Sequence, residues 1–304
     1  MNLRTDAGSL STTQVCALFG LSRTAWYEAK RSLSQENSDE TAAAPRPARE
    51  LRVASPRGAT VEALMPAIHA IVEANPAWGV RKVWAVLRRK PYALKVSQRR
   101  VWALMSARNL TLVPNSPRKD LPPRGQVVTP EPNRRWATDL TTVHTKDDGT
   151  VAVVPVVDCG CRSVLAIEVT KAQTAPAVLA PLQRALTEAF GLPGEVPDGL
   201  ELRTDHGPQY TGSDCHDLVK EWRVEHTFAP VGRPTGNAVA ERTIRTLKEE
   251  CIWLQDWNNI EELRAAMERW RRAFNEDRPH QSLDWQTPQE RRDERLNGDL
   301  LAAA

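Results

Sequence analysis

The sequence has 304 residues, of which 41% are hydrophobic and 26% charged, and its formal net charge is +3. This length allows two or three domains that each bury a core, and the composition is that of a folded, soluble protein. No apolar run approaches the roughly 20 residues that span a bilayer, and the N-terminus lacks a secretory signal, so we expect a cytoplasmic protein with no membrane partner.

Residues 1–33 are predicted to form a small helix-turn-helix unit. Ser11 can cap a first helix, Gly20 ends it, and a second helix follows that carries the basic residues Arg23 and Lys30. A basic second helix after a tight turn is typical of DNA binding, although many helical hairpins share the pattern. Residues 34–60 lack any periodicity and are predicted to be a linker.

Residues 61–114 are predicted to form a second basic helix-turn-helix-like unit with three helices. From Pro76 to Lys119 there are eleven Lys or Arg residues and no Asp or Glu. Such a one-sided charge distribution favours phosphate binding, and the alternative is a solvated helix face. The candidate DNA contacts in this unit are Arg81, Lys82, Arg88, Arg89, Arg99 and Arg100.

A Pro-rich linker at 115–133 precedes a region of different character, predicted as one α/β domain at 134–255. Three strands come first, in "RWATDLTTVHT", "TVAVVPVVDC" and "SVLAIEVTK". Helices then alternate with the strands "LELRT" and "VEHTFAP", which predicts a mixed five-stranded sheet with helices. Residues 256–304 are predicted to be a basic helix and an extended tail.

Three acids of this domain occur where strand and helix ends would converge. Asp139 lies in the first strand, Asp205 ends the fourth, and Glu241 opens the long helix after 35 intervening residues. Clustered carboxylates without a cationic partner usually bind a divalent ion, and their hard oxygens select Mg²⁺ or Mn²⁺. Two such ions can activate a nucleophile and stabilise the leaving oxygen of a phosphodiester.

The blocks "WATDLT", "RTDHGPQYTG" and "GNAVAERTIRTLKEE" resemble, in this order, the signature blocks of the integrase-type DDE transposases of bacterial insertion sequences. The resemblance covers about residues 134–292, and the upstream "NPAWGVRKVWAVLRR" also resembles the helical unit that precedes that core. It implies a ribonuclease-H-like fold, a metal-binding catalytic triad of Asp139, Asp205 and Glu241, and two Mg²⁺ or Mn²⁺ ions. It further implies that the protein acts on double-stranded DNA as a homo-oligomer, at least a dimer, and that an upstream reading frame can supply a further transposase segment.

The reaction that the resemblance implies is Mg²⁺-dependent cleavage at the transposon ends, followed by attack of the freed 3′-hydroxyl on target DNA. The helical units would recognise the terminal inverted repeats. Arg245 and Lys248 lie on the same helix face as Glu241 and are candidates for phosphate contacts, with salt bridges on a surface helix as the alternative. Two other functions stay open: a non-catalytic DNA-binding regulator derived from a transposase, and a metal-dependent nuclease on the same fold.

Other residue types in this region have simpler interpretations. Asp158 is predicted to be a hairpin turn residue and not a metal ligand. His206 can either contact the site or position its loop. The five cysteines are scattered without histidines at zinc-finger spacing, which argues against a structural zinc site and against a disulfide framework.

Overall fold

The computed structural model describes residues 58–112, 129, 131–230 and 237–302, with the side chains described as far as residue 297. All of these residues belong to one compact unit, Pro56–Ala304. The predicted helix-turn-helix unit at 1–33, with its candidates Arg23 and Lys30, lies outside the described residues. So do residues 34–57 of the linker predicted at 34–60 and most of the linker predicted at 115–133.

Three short helices form the helical unit: α1 (Val61–Ala74), α2 (Val80–Leu87) and α3 (Gln98–Ala107). Polar residues begin two of them, since the side chains of Thr60 and Ser97 accept hydrogen bonds from Ala63 N and Arg100 N. The unit has a hydrophobic core of its own, formed by Leu64, Met65, Ala67, Ile68, Ile71, Trp78, Val83, Leu87, Val101 and Met105. The predicted three helices are therefore present and pack together.

The second part of the chain builds one sheet from six strands. The strands are β1 (Arg135–Thr138), β2 (Thr141–Thr145), β3 (Gly149–Asp158), β4 (Val164–Thr170), β5 (Glu201–Thr204) and β6 (Glu225–Phe228). β3 is antiparallel to β1, β2 and β4, whereas β5 is parallel to both β1 and β6. The sheet is thus mixed, as predicted.

The count of six strands, where five were predicted, comes from one interruption. Trp136 pairs with Asp158 and Thr141 pairs with Val153, so β1 and β2 keep one register along the same edge of β3. Between them the Leu140 amide donates to the Asp139 carboxylate (2.8 Å). The segment "RWATDLTTVHT" is therefore one strand line that is broken at Asp139 and Leu140, and the order across the sheet is β4, β3, β1 with β2, β5, β6.

Helices cover both faces of the sheet. On one face lie α4 (Ala175–Phe190), the short α5 (Pro208–Thr211) and α6 (Ser213–Glu221); on the other lie α7 (Ala238–Glu250) and α8 (Ile260–Glu276). Side chains of β3 alternate between the two cores: Val154 and Val156 join the first, while Val151, Val153 and Val157 join the second. Both faces of the central strand are buried, which explains its continuous apolar sequence.

Two C-terminal predictions need correction. The boundary at residue 255 does not separate two cores, because Leu263, Met267 and Trp270 of α8 pack in the same cluster as β3 and β4. The tail is not extended either: after a 3₁₀ turn at Gln281–Leu283 it forms α9 (Pro288–Ala302). The apolar periodicity of this segment is weak, so its sequence gives little indication of a helix. Contacts with distant residues hold the helix in place.

Within the described residues no helix is long and apolar enough to cross a membrane.

Candidate active site

Asp139 and Asp205 lie at the same end of two neighbouring parallel strands. β1 and β5 pair Arg135 with Glu201 and Ala137 with Arg203, and each aspartate is the first residue beyond its strand. In each pair the β5 residue comes 66 positions after its β1 partner, and Asp205 likewise comes 66 positions after Asp139. Both carboxylates therefore leave the sheet side by side at its carboxyl edge.

A glycine lets the chain turn closely behind Asp205. The Gly207 amide donates to Asp205 Oδ1 (3.0 Å), and a Cβ at position 207 would lie 2.6 Å from the Gln209 side chain and 3.0 Å from that carboxylate. Any larger residue would have to displace the Gln209 side chain and would crowd the Asp205 carboxylate. Gly207 thus has a steric role at the site.

The start of α7 is fixed over the end of β1, which brings Glu241 to the two aspartates. The side-chain amide of Asn237 donates to the Thr138 carbonyl (3.0 Å). Ala240 packs against Ala137 and Cys159 in a small buried cluster. Glu241 follows Ala240 in the first turn of the helix and is exposed. The segment 231–236, which directly precedes α7, lies outside the described residues.

The electrostatics of Asp139 reflect this convergence. Its pKa is raised from 3.8 to about 6, first because the carboxyl is partly removed from water and further because Asp205 and Glu241 are close. The Leu140 amide and, more weakly, Lys248 of α7 act in the opposite direction. Three carboxylates and one lysine thus share one electrostatic neighbourhood.

These carboxylates match a divalent ion by the chemistry of their oxygens and by their mutual repulsion, which a cation would relieve. Within the described ranges, however, no three His, Cys, Asp or Glu side chains lie within joint reach of a single ion. Asp205 and Glu241 are both exposed side chains with room to move. The donor set fits Mg²⁺ or Mn²⁺, and joint coordination requires these side chains to approach one another.

We expect Asp139→Asn to stabilise the ion-free protein at alkaline pH. Because the folded pKa of Asp139 lies above its ordinary value, the folded state binds this proton more tightly, and stability falls as pH rises from about 4 to about 6. The asparagine retains the acceptor for Leu140 but carries no charge. Urea unfolding with EDTA should show a gain in the free energy of unfolding at pH 8 that shrinks at pH 5; an equal gain at both values would contradict the raised pKa.

Tyr210 is a neighbour of the site that the sequence did not single out, although it lies inside the "RTDHGPQYTG" block. It is buried on α5 beside Thr138, and burial together with Asp139 and Asp205 raises the pKa of its hydroxyl. The hydroxyl therefore keeps its proton at neutral pH. His206, whose role was left open, stacks on Phe228 with ring centroids 4.9 Å apart.

Asp158 lies at the end of β3 and is fully buried. Its carboxylate accepts hydrogen bonds from the Asn133 and Gly160 amides (2.8 Å each) and pairs with Arg292 of α9 (3.2 Å). It is an anchor for distant segments in addition to closing the hairpin. The four described cysteines are free thiols, and burial raises the pKa of Cys159 to about 12.

The predicted DNA contacts of the helical unit fall into two groups. Arg81, Arg88 and Arg99 are exposed and Arg100 is half-buried, with Arg88 lying over the Trp84 ring at 4.9 Å. The other two have their charges matched inside the chain, Lys82 by Glu250 and Arg89 by Glu290. The sequence could not reveal this because both acids lie more than 160 residues away.

On α7, Arg245 and Lys248 follow Glu241 as predicted. Arg245 is exposed and forms an i,i+4 ion pair with Glu249 (2.8 Å), the alternative that the sequence left open. Lys248 is half-buried and lies close enough to Asp139 to influence its pKa.

Comparison with known families matches three parts of the chain. Two integrase core domain families match residues 129–234 and 222–288, and an HTH-like domain family matches residues 60–119. Together the two integrase core matches span the sheet, its helices and all three acids. The HTH-like match coincides with the helical unit.

Several curated relatives are transposases. The Escherichia coli transposase InsD for insertion element IS2A/D/F/H/I/K is 27% identical over 237 residues, which covers 73% of this chain and 76% of the relative. The InsD transposase for IS2D from Escherichia coli strain K12 gives the same values.

Among solved structures, the chain is similar to one in the simian T-cell lymphotropic virus intasome in complex with PP2A regulatory subunit B56 gamma. That match has a TM-score of 0.46 at 18% identity and covers 75% of this chain and 74% of the other. The dimeric HTLV-2 integrase catalytic core domain in complex with magnesium gives a TM-score of 0.39 at 16% identity, over 53% of this chain and 97% of the other.

The integrase core and HTH-like matches follow one another along the chain in the order that the sequence blocks predicted, and the InsD relatives extend over both. The chain therefore carries an integrase core domain preceded by an HTH-like domain, and these matches together with the InsD relatives support a DDE transposase of the integrase superfamily, a polynucleotidyl transferase.

Proposed function

We propose that the protein cleaves DNA at transposon ends and joins the freed 3′-hydroxyl to target DNA, with Asp139, Asp205 and Glu241 as its metal ligands. The observation that carries the proposal is the approach of these three carboxylates from β1, β5 and α7. Burial is the largest cause of the raised pKa of Asp139, and the charges of Asp205 and Glu241 raise it further. Three carboxylates close together at an exposed sheet edge repel one another, and this repulsion lowers the stability of the folded protein unless a cation offsets it.

Divalent ions bound by these carboxylates would supply an activated nucleophile and charge stabilisation at the phosphodiester; we propose two Mg²⁺ or Mn²⁺ ions. Protein side chains would orient the DNA around them. Lys248 is two helical turns from Glu241 on one face of α7, with Arg245 between them, so both cations can contact phosphates next to the reacting one. The turn at Gly207, whose amide donates to Asp205 Oδ1, would hold Asp205 at the sheet edge.

The helical unit would bind the terminal inverted repeats through its exposed cations, with a second copy of the chain on the other end. Both the oligomer of at least two chains and the addition of an upstream-frame segment are proposals from the resemblance.

Transposon-end joining by the full chain tests the core of the proposal. A labelled duplex with the inverted repeat that flanks the gene is incubated with target plasmid and Mg²⁺, and the label should enter the plasmid. Joining that persists in EDTA, or its absence with every divalent ion tried, would contradict the proposal.

Replacing Arg99 and Arg100 by glutamine should weaken DNA binding and reduce its salt dependence. Each lost phosphate contact lowers the slope of log K against log salt by about 0.9. Fluorescence anisotropy across a salt series measures this slope. The matched control is Lys220→Gln, which removes an exposed cation from α6 and should leave the slope unchanged. Equal slopes for wild type and the double variant would mean that α3 presents only a solvated face.

A further inference from the structure

The helical unit packs against the C-terminal segment through α2 and the turn that directly follows it. Arg81 donates to the Gln281 side chain (3.1 Å), and Arg89 donates to the Trp285 carbonyl (2.7 Å) in addition to its ion pair with Glu290. Trp84 meets Trp285 edge-on, with ring centroids 5.7 Å apart. Basic residues of α2 and of the turn after it are thus used for contacts within the chain.

A buried charge cluster connects the same helix to α7. Glu250, the last residue of α7, accepts two hydrogen bonds from Arg278 (2.8 and 2.9 Å) and pairs with Lys82 of α2. The side chains of Glu250 and Arg278 are only about one-tenth exposed (10% and 9%). Removing the acid leaves the buried Arg278 and the partly buried Lys82 without their carboxylate partner, so this contact has one strongly preferred geometry.

The C-terminal segment is in turn attached to the sheet. Beyond Glu290, Arg292 of α9 pairs with the buried Asp158 and also donates to the Asn133 side chain (3.3 Å). Arg295 pairs with Glu131 (3.2 Å). One continuous segment therefore holds α2 at one end and the β3 end of the sheet at the other.

We propose that Glu250 and the segment Arg278–Glu290, here called the joint, set the position at which the chain cuts DNA. The proposal rests on the proposed function. The joint fixes α2, and with it α3, relative to α7, whose first turn carries Glu241. Nine residues separate Glu241 from Glu250, which is about 14 Å along the helix. DNA held on the outer face of α3, where Arg99 and Trp102 are exposed, would then reach the carboxylates at one fixed distance.

In this proposal Lys82 and Arg89 are positioning residues and do not contact DNA. Their contacts can be weakened from the opposite side, by Glu250→Gln with Glu290→Gln, so that no cation of the helical unit changes. The amides keep the shape of both side chains, and the amide oxygen introduced by Glu290→Gln still offers an acceptor to the Thr287 backbone N–H. The matched control is Asp277→Asn with Glu294→Gln, two acids of the same region for which the structure gives no contact with the helical unit.

Each full-length variant is compared with wild type in three measurements: affinity for end DNA, hydrogen exchange of α2 amides, and the position of cuts read on a sequencing gel. The joint variant should bind end DNA as well as wild type does, exchange its α2 amides about tenfold faster or more, and spread its cuts over several neighbouring phosphodiesters. The control variant should match wild type in all three.

Cutting by the joint variant at the single wild-type position, in spite of faster α2 exchange, would overturn the proposal. Unchanged α2 exchange would overturn it too, because the ion pairs would then not hold the unit. So would complete loss of cutting, since a positioning role leaves the carboxylates able to act. Failure of the wild type to cut any end DNA is a separate result that rejects the proposed function, and the exchange measurement still reports on the joint.

Discussion

Asp139→Ala, Asp205→Ala and Glu241→Gln are each expected to abolish strand transfer while leaving the affinity for end DNA nearly unchanged. The three carboxylates are proposed to hold metal and not phosphate, so their loss removes the ion and not the DNA contact. Metal ions contribute several kcal/mol to such reactions, which corresponds to a loss of about a thousandfold or more in rate. Joining of a labelled end duplex to target plasmid in Mg²⁺ measures the effect.

The matched control for this series is Asp214→Asn, which neutralises an exposed acid of α6 outside the site. It should join DNA at the wild-type rate, and anisotropy should give the same affinity for all variants. Near-normal joining by any one of the three would remove that residue from the proposed triad. Loss of DNA affinity in parallel with joining would instead indicate that the acid supports the fold of the binding surface.

The largest loss of stability is expected from Asp158→Ala. The replacement leaves the Asn133 and Gly160 amides without their acceptor and Arg292 without its buried counter-ion. Removing one partner of a buried ion pair typically lowers the free energy of unfolding by about 3–5 kcal/mol. Urea denaturation measures this change, with Asp148→Ala, at a partly buried hairpin residue that pairs with Lys171, as a milder comparison. Equal, small effects of both replacements would mean that Asp158 is only a turn residue.

Several features of the fold followed from local sequence alone. The apolar runs of β3 and β4 are local patterns, and each predicted its strand to within a few residues. The positions of Asp205 after the fourth strand and of Glu241 in the first turn of the long helix were also predicted from local patterns, whereas Asp139 was predicted inside its strand and lies just beyond it. The assignment of the acids to one metal site stays a prediction, which the triad replacements test.

Other features depend on residues that are far apart in the chain. The sequence predicts β1 and β2 as one strand, and only the paired backbone shows that the line breaks at Asp139, where the carboxylate takes the next amide. The helix α9 has little periodicity of its own and is held by Asp158, 134 residues earlier. Weak local preference is overruled here by tertiary contacts.

The basic run from Pro76 to Lys119 shows most clearly which property of this protein cannot be predicted from its sequence alone. By itself it determines that one helical unit is rich in cations and suited to phosphate. Which cations are available is decided by tertiary structure, because the partners of Lys82 and Arg89 lie 168 and 201 residues further along the chain. Two charges form an ion pair only when they lie within a few ångströms of each other in space. The number of residues between them in the sequence does not measure that distance.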